Sequence, residues 1–123
     1  MIFLAVAVSG ALGAICRFWM DSLIRKLKKG YFPWGTLTVN VSGSFALGVV
    51  VALAMTHEGA GLLTVAVSTG FLGAYTTFSG WMVQTMELIG AGAWEGAIHN
   101  IFASVICGIL AAALGFSVTD WVL

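Results

Sequence analysis

Four long apolar stretches, parted by short polar connections, order this chain. They run from Ile2 to Met20, Gly35 to Met55, Leu62 to Glu87 and Ala97 to Val118. A helix needs about 20 apolar residues to cross a bilayer, so a chain of 123 residues holds four spans with little left over. The pattern predicts an all-α membrane protein, one transmembrane domain over residues 1–123, embedded in the lipid bilayer. The connections are Asp21 to Trp34, Thr56 to Gly61 and Leu88 to Gly96. Pro33 stands just before the second span among Tyr31, Phe32 and Trp34, where proline suits a helix start and aromatics suit the headgroup level. Trp94 and Trp121 are further interfacial anchors by the same reasoning.

The third stretch breaks the apolar pattern. Residues 70–81, Gly-Phe-Leu-Gly-Ala-Tyr-Thr-Thr-Phe-Ser-Gly-Trp, bring glycines, two adjacent threonines and a serine to membrane depth. Non-helical backbone is tolerated there only where protein or water satisfies the freed groups, so a break at this segment marks a candidate site for an ion. A kinked helix packed on small residues is the plainer alternative.

Composition agrees with the spans. The chain is 60% hydrophobic and 8% charged, with a mean hydropathy of +1.04. An ordinary soluble domain carries about 25% charged residues, so this composition cannot build a water-facing surface. Net charge is zero, and no basic arm or aromatic–basic interleaving suggests a nucleic-acid partner. Cys16 and Cys107 lie in different apolar stretches without metal-ligand spacing and read as buried small apolar residues. No charged region precedes Ile2, so the first stretch reads as a retained span and not a cleaved signal.

The charges are lopsided. Arg17, Arg25, Lys26, Lys28 and Lys29 all lie in or beside the first connection, while Asp21, Glu58, Glu87, Glu95 and Asp120 sit at or near span ends. The positive-inside rule places the first connection in the cytoplasm and predicts one fixed orientation. The sixteen glycines serve packing, because helices in lipid associate through small residues. Ser104, Gly108 and Ala112 continue a line from Asn100 on the fourth span, and Ser42 and Ala46 do the same on the second. Four short spans enclose little interior, so the chain is expected to dimerise to build a pathway.

Catalysis is not expected. No carboxylate sits at the centre of a span, His57 lies in a loop beside Glu58, and His99 begins the fourth span. Three intramembrane polar groups stand out instead. Arg17 falls within the first span, where insertion costs about 2.5–3.5 kcal/mol at mid-helix, and an ion pair with Asp21 would explain it. Asn40 lies one turn into the second span, where its amide can donate to an anion or join two helices. The third group is the hydroxyls of Thr76, Thr77 and Ser79.

Three segments together resemble the CrcB/Fluc family of fluoride channels: Gly-Ala-Leu-Gly-Ala-Ile-Cys-Arg at 10–17, Gly-Thr-Leu-Thr-Val-Asn-Val-Ser-Gly-Ser-Phe at 35–45, and Gly-Phe-Leu-Gly-Ala-Tyr-Thr-Thr-Phe-Ser at 70–79. The resemblance covers essentially the whole chain. It implies a dual-topology dimer of two antiparallel subunits in a bacterial cytoplasmic membrane, with narrow fluoride pathways between them. It further implies a break in the third helix, where the backbone carbonyls of Gly73 and Thr76 would hold a structural sodium ion. The implied pathway residues are Asn40, Thr77, Phe78, Ser79 and Trp81, with Arg17 as a structural polar group. The implied activity is passive export of fluoride that has entered the cell as the weak acid.

The chain also departs from the family. The common Thr-Thr-Phe-Ser-Thr-Phe run ends here in Gly80 and Trp81, an acidic position further along is Gln84, and the fourth-span hydroxyl positions match Gly108 and Ala112. Missing donors and a strong charge bias both suggest a heterodimer with a second, oppositely inserted homologue, one pathway being degraded. Two rivals remain: a proton-coupled multidrug transporter, whose first-span carboxylate could only be Asp21, and a non-transporting accessory protein.

Overall fold

The computed structural model describes residues 1–56 and 61–123. Helix α1 is Ile2–Leu27 and α2 is Trp34–Thr56. The third span is built in pieces: α3 (Leu62–Val65), a π-helical stretch (Ala66–Leu72), α4 (Gly73–Tyr75) and α5 (Phe78–Gly90). Helix α6 is Trp94–Val122. Among the described residues, four helical segments are long and apolar enough to cross a membrane: Ile2–Leu27, Trp34–Thr56, Leu62–Gly90 and Trp94–Val122. The 23 residues of α2 rise about 35 Å, enough for a hydrocarbon layer of about 30 Å.

Helix ends differ from the expectations. The first helix does not stop at Met20 but continues through the basic run to Leu27. Lys and Arg are good helix formers, and Arg25 Nε donates to Asp21 Oδ2 at 2.8 Å one turn back. That pair replaces the one expected between Arg17 and Asp21. Helical side chains lean toward the N-terminus, so the base that follows the acid reaches it more readily than the base that precedes it. Asp21 also rests against Gly35 in the first turn of α2, where the positive end of the helix dipole favours a carboxylate. The expected Leu88–Gly96 connection shrinks to the tight turn between α5 and α6. There Gly92 adopts φ +75°, Ala93 N–H donates to Leu88 O at 2.8 Å, and Gly92 N–H donates to Ile89 O at 2.9 Å. These two bonds form a Schellman cap, which needs the left-handed residue that glycine supplies. His57 and Glu58, in the second connection, lie outside the described residues.

Small residues set the packing, with one shift in register. Gly108 and Ala112 face α2, as the spacing suggests, but they meet Ser44 and Gly48 there. Ser42 turns away and shares a 2.9 Å hydrogen bond with the Tyr75 hydroxyl. A Cβ on Gly48 would overlap the Ala112 carbonyl, and one on Gly115 would overlap the Phe45 carbonyl. On the other side Gly13 lies against the Phe71 carbonyl and Gly70 against the Ser9 hydroxyl. Ser9 Oγ donates to Ala66 O at 2.7 Å, supporting a carbonyl at the start of the π-helical turns. The apolar interior is small, comprising Val39, Ala52, Leu72, Tyr75, Leu88 and Ala97. Cys16 and Cys107 are not part of it: both are exposed on the single chain. A thiol is apolar enough to face acyl chains as readily as a core.

Gly48→Val is expected to destabilise the subunit by about 1–3 kcal/mol, since a backbone carbonyl cannot yield as a flexible side chain can. Gly108→Ala, whose Cβ would meet only Ser44 Oγ at 3.5 Å, is expected to be tolerated. Thermal unfolding of the two variants in detergent, followed by size-exclusion chromatography, checks the contrast.

Candidate functional site

The backbone leaves helical geometry at Thr76 (φ −79°, ψ 157°) and Thr77 (φ −145°, ψ 119°). Neither flanking glycine carries the turn: Gly73 is helical at φ −61°, ψ −34°, and Gly80 lies within α5. Hydroxyls support it instead. Thr76 Oγ1 donates to Leu72 O at 2.9 Å, closing the end of α4. Thr77 Oγ1 accepts from Gly80 N–H at 3.0 Å, making Thr77 the N-cap of α5. Room for this crossing comes from Gly43 on α2, where a Cβ would overlap the Thr76 methyl group.

Asn40 fastens the extended residues to α2. Its Oδ1 accepts from Thr77 N–H at 2.8 Å, and its Nδ2 donates to Thr77 O at 3.0 Å. One amide thus satisfies both backbone groups of Thr77, in the way a neighbouring strand would. Of the roles open to this side chain, joining two helices is visible in the structure, and one Nδ2–H is left over. The diverted donors have a consequence. In a continuous helix Thr77 N–H would bond Gly73 O and Gly80 N–H would bond Thr76 O. Here both N–H groups serve side chains, so the carbonyls of Gly73 and Thr76 lose the partners a helix would give them.

Two hollows flank Thr77. One, of about 320 Å³, is lined by Asn40, Gly73, Thr76, Phe78, Trp81 and Ser104 among others. The other, of about 310 Å³, is lined by Arg17, Asp21, Thr36, Ser79, Gly80 and Gln84 among others. Thr77 borders both. Phe78 is 71% exposed and meets Trp81 edge-on, with ring centroids 5.4 Å apart and planes at 71°. The hydroxyls of Thr77 and Ser79 are 3.3 Å apart. Arg17 has no hydrogen bond or ion pair among the described residues, and it lines the second hollow together with Ser79.

Of the residues singled out from the sequence, Asn40, Gly73, Thr76, Thr77, Phe78 and Trp81 line the first hollow, and Arg17, Thr77 and Ser79 line the second. The polar residues that α6 brings to this region are Asn100 and Ser104, one turn apart; Gly108 and Ala112 pack on α2 instead. Asn100 is fully buried, and Ser104 Oγ is buried with no hydrogen-bond partner among the described residues. Both stand on the line that the sequence marks along the fourth span, four residues apart. His99 is exposed near the start of α6, away from both hollows.

Comparison with known proteins covers nearly the whole chain. A family model described as CrcB-like protein, Camphor Resistance (CrcB), matches residues 4–116. The chain is 40% identical over 114 residues to a fluoride-specific ion channel, FluC 2, of Mycobacterium tuberculosis, covering 93% of this chain and 87% of that one. It is 44% identical over 118 residues to a FluC 2 fluoride-specific ion channel of Rhodopseudomonas palustris, covering 93% and 89%. It is 39% identical over 117 residues to the fluoride-specific ion channel FluC of Magnetococcus marinus, covering 92% and 93%.

Proposed function

The chain belongs to the CrcB family, whose relatives are named fluoride-specific ion channels, and from that premise we propose how this subunit carries fluoride across the bacterial cell membrane. It is a multi-pass membrane channel and not an enzyme. It releases fluoride passively down its gradient, which limits the toxicity of the ion. The reading is carried by one observation: at Thr76–Thr77 the third span leaves helical geometry at membrane depth, which takes from the carbonyls of Gly73 and Thr76 partners that lipid cannot replace.

Phe78, Ser79 and Gly73 are exposed on the single chain beside this break. A second subunit, inserted the opposite way, would cover them and close a pathway along each side of the crossing. Fluoride holds its water tightly, and an uncompensated ion in low dielectric costs on the order of 20 kcal/mol in the idealised limit. Replacement donors are at hand in the second Nδ2–H of Asn40, the hydroxyls of Thr77 and Ser79, and the positive ring edges of Phe78 and Trp81. Arg17 adds a positive charge to the residues lining the second hollow, which Ser79 also borders.

The carbonyls of Gly73 and Thr76 fit a hard cation, because oxygen donors freed from helix bonding are what sodium binds. A sodium ion held there at the dimer axis would tie the two broken helices together as a structural charge. Asp21 does not suit the rival multidrug-transport reading: its carboxylate is tied to Arg25 at the end of the bundle.

The charge bias of α1 and its connection favours a heterodimer, since a chain that must insert both ways cannot carry all its cations at one end. Fluoride efflux from liposomes, read with a fluoride electrode, tests this. The chain alone is expected to conduct poorly, and co-reconstitution with an oppositely inserted homologue to restore efflux. Robust efflux from the chain alone, with both orientations seen by protease accessibility, would overturn the heterodimer. Absence of efflux under both conditions would overturn the channel reading itself.

A further inference from the structure

Position 81 carries a tryptophan, and tryptophan brings an indole N–H that a phenylalanine lacks. Trp81 is half-buried, and an indole N–H taken out of water without an acceptor is costly, so the rest of the chain must answer it. It does so with a closed ring of hydrogen bonds between α5 and α6. Trp81 Nε1–H donates to the backbone carbonyl of Asn100 at 3.1 Å. Asn100 Nδ2 donates to Thr85 Oγ1 at 2.8 Å. Thr85 Oγ1 in turn donates to Trp81 O at 2.8 Å. Asn100 is 0% and Thr85 1% exposed, so the bond between them does not compete with water, and low local dielectric strengthens it.

We propose that Asn100 and Thr85 are positioning residues for Trp81, fixing the indole so that its edge contact with Phe78 sets the width and polarity of the fluoride pathway. This inference rests on the channel reading above. Neither side chain touches the ion in this role. Asn100 draws its own carbonyl into register with the indole by holding Thr85, and Thr85 holds the helical turn from which the indole projects. Phenylalanine at position 81 would make no use of the Asn100 carbonyl, so the ring of bonds is matched to tryptophan.

The test has a spectroscopic arm and a transport arm. The chain has five tryptophans, and biosynthetic 5-fluorotryptophan gives each a fluorine resonance in nanodiscs; Trp81→Phe assigns the one from position 81. Thr85→Val and Asn100→Ala are expected to shift or split that resonance and leave the other four in place, and Thr85→Ser, which keeps the hydroxyl, to restore it. In the conducting dimer Thr85→Val is expected to lower fluoride efflux about tenfold, the cost of one unsatisfied buried group. Asn100→Ala is expected to cause no further loss once Trp81→Phe is present. A position-81 resonance unmoved by both substitutions would overturn the inference, as would equal losses from Asn100→Ala with tryptophan or phenylalanine at 81. If the unsubstituted dimer carries no fluoride, the channel reading fails, and the fluorine spectra still decide whether Asn100 and Thr85 position the ring.

Discussion

Asn40→Ala is expected to reduce fluoride efflux by about 100-fold or more and to lower the thermal stability of the subunit together with it. Both effects have one source. The amide holds Thr77 N–H at 2.8 Å and Thr77 O at 3.0 Å, and alanine leaves a donor and an acceptor unpaired at membrane depth. Each such group costs about 1–3 kcal/mol, enough to let residues 76 and 77 drift from the crossing that places Phe78 and Ser79. Released from Asn40, Thr77 N–H could return to Gly73 O and rebuild the helix, removing a carbonyl from the proposed cation site. Efflux from liposomes and unfolding in detergent are to be measured on the same preparation. Loss of efflux at an unchanged melting temperature would assign Asn40 to the ion alone, and unchanged efflux would remove it from the pathway.

The four-helix framework was legible because apolar runs of membrane length need no tertiary information. Helix ends were less so. The continuation of α1 past Met20 depends on a basic run that reads as a loop by polarity, yet is helical by propensity and by the Asp21–Arg25 pair. Residue types marked 70–81 as unusual but did not say which of them turn the chain. Thr76 and Thr77 are extended because hydroxyls cap both sides and Asn40 supplies the missing pairing. That pairing joins residues 37 apart, a separation no local pattern encodes. The same limit hid the Trp81–Asn100–Thr85 ring, visible only once α5 and α6 are set against one another. The cysteines misled for a different reason: in a membrane protein apolar character does not distinguish the interior from the lipid face, so Cys16 and Cys107 carry no burial signal.

Phe78→Leu and Phe78→Ala are both expected to cut efflux by about 100-fold while leaving the subunit folded, because the role proposed for the ring is electrostatic and lies outside the subunit's own core. At 71% exposure Phe78 contributes little to packing within one chain, and exposed substitutions of this kind usually alter stability by less than about 0.5 kcal/mol. Its ring partner among the described residues, Trp81 at 5.4 Å, stays in place through its own bond to Asn100. Leucine keeps most of the apolar volume but has no positive edge to turn toward an anion, so it separates a plug from a ligand. If leucine conducts as well as phenylalanine, the residue is a spacer, and the donors lie wholly in Asn40 and the hydroxyls. If efflux falls equally with leucine and alanine and the melting temperature holds, ring polarity is the property required. A channel with its fold intact and its flux gone also disposes of the accessory-protein reading, for such a protein has no flux to lose.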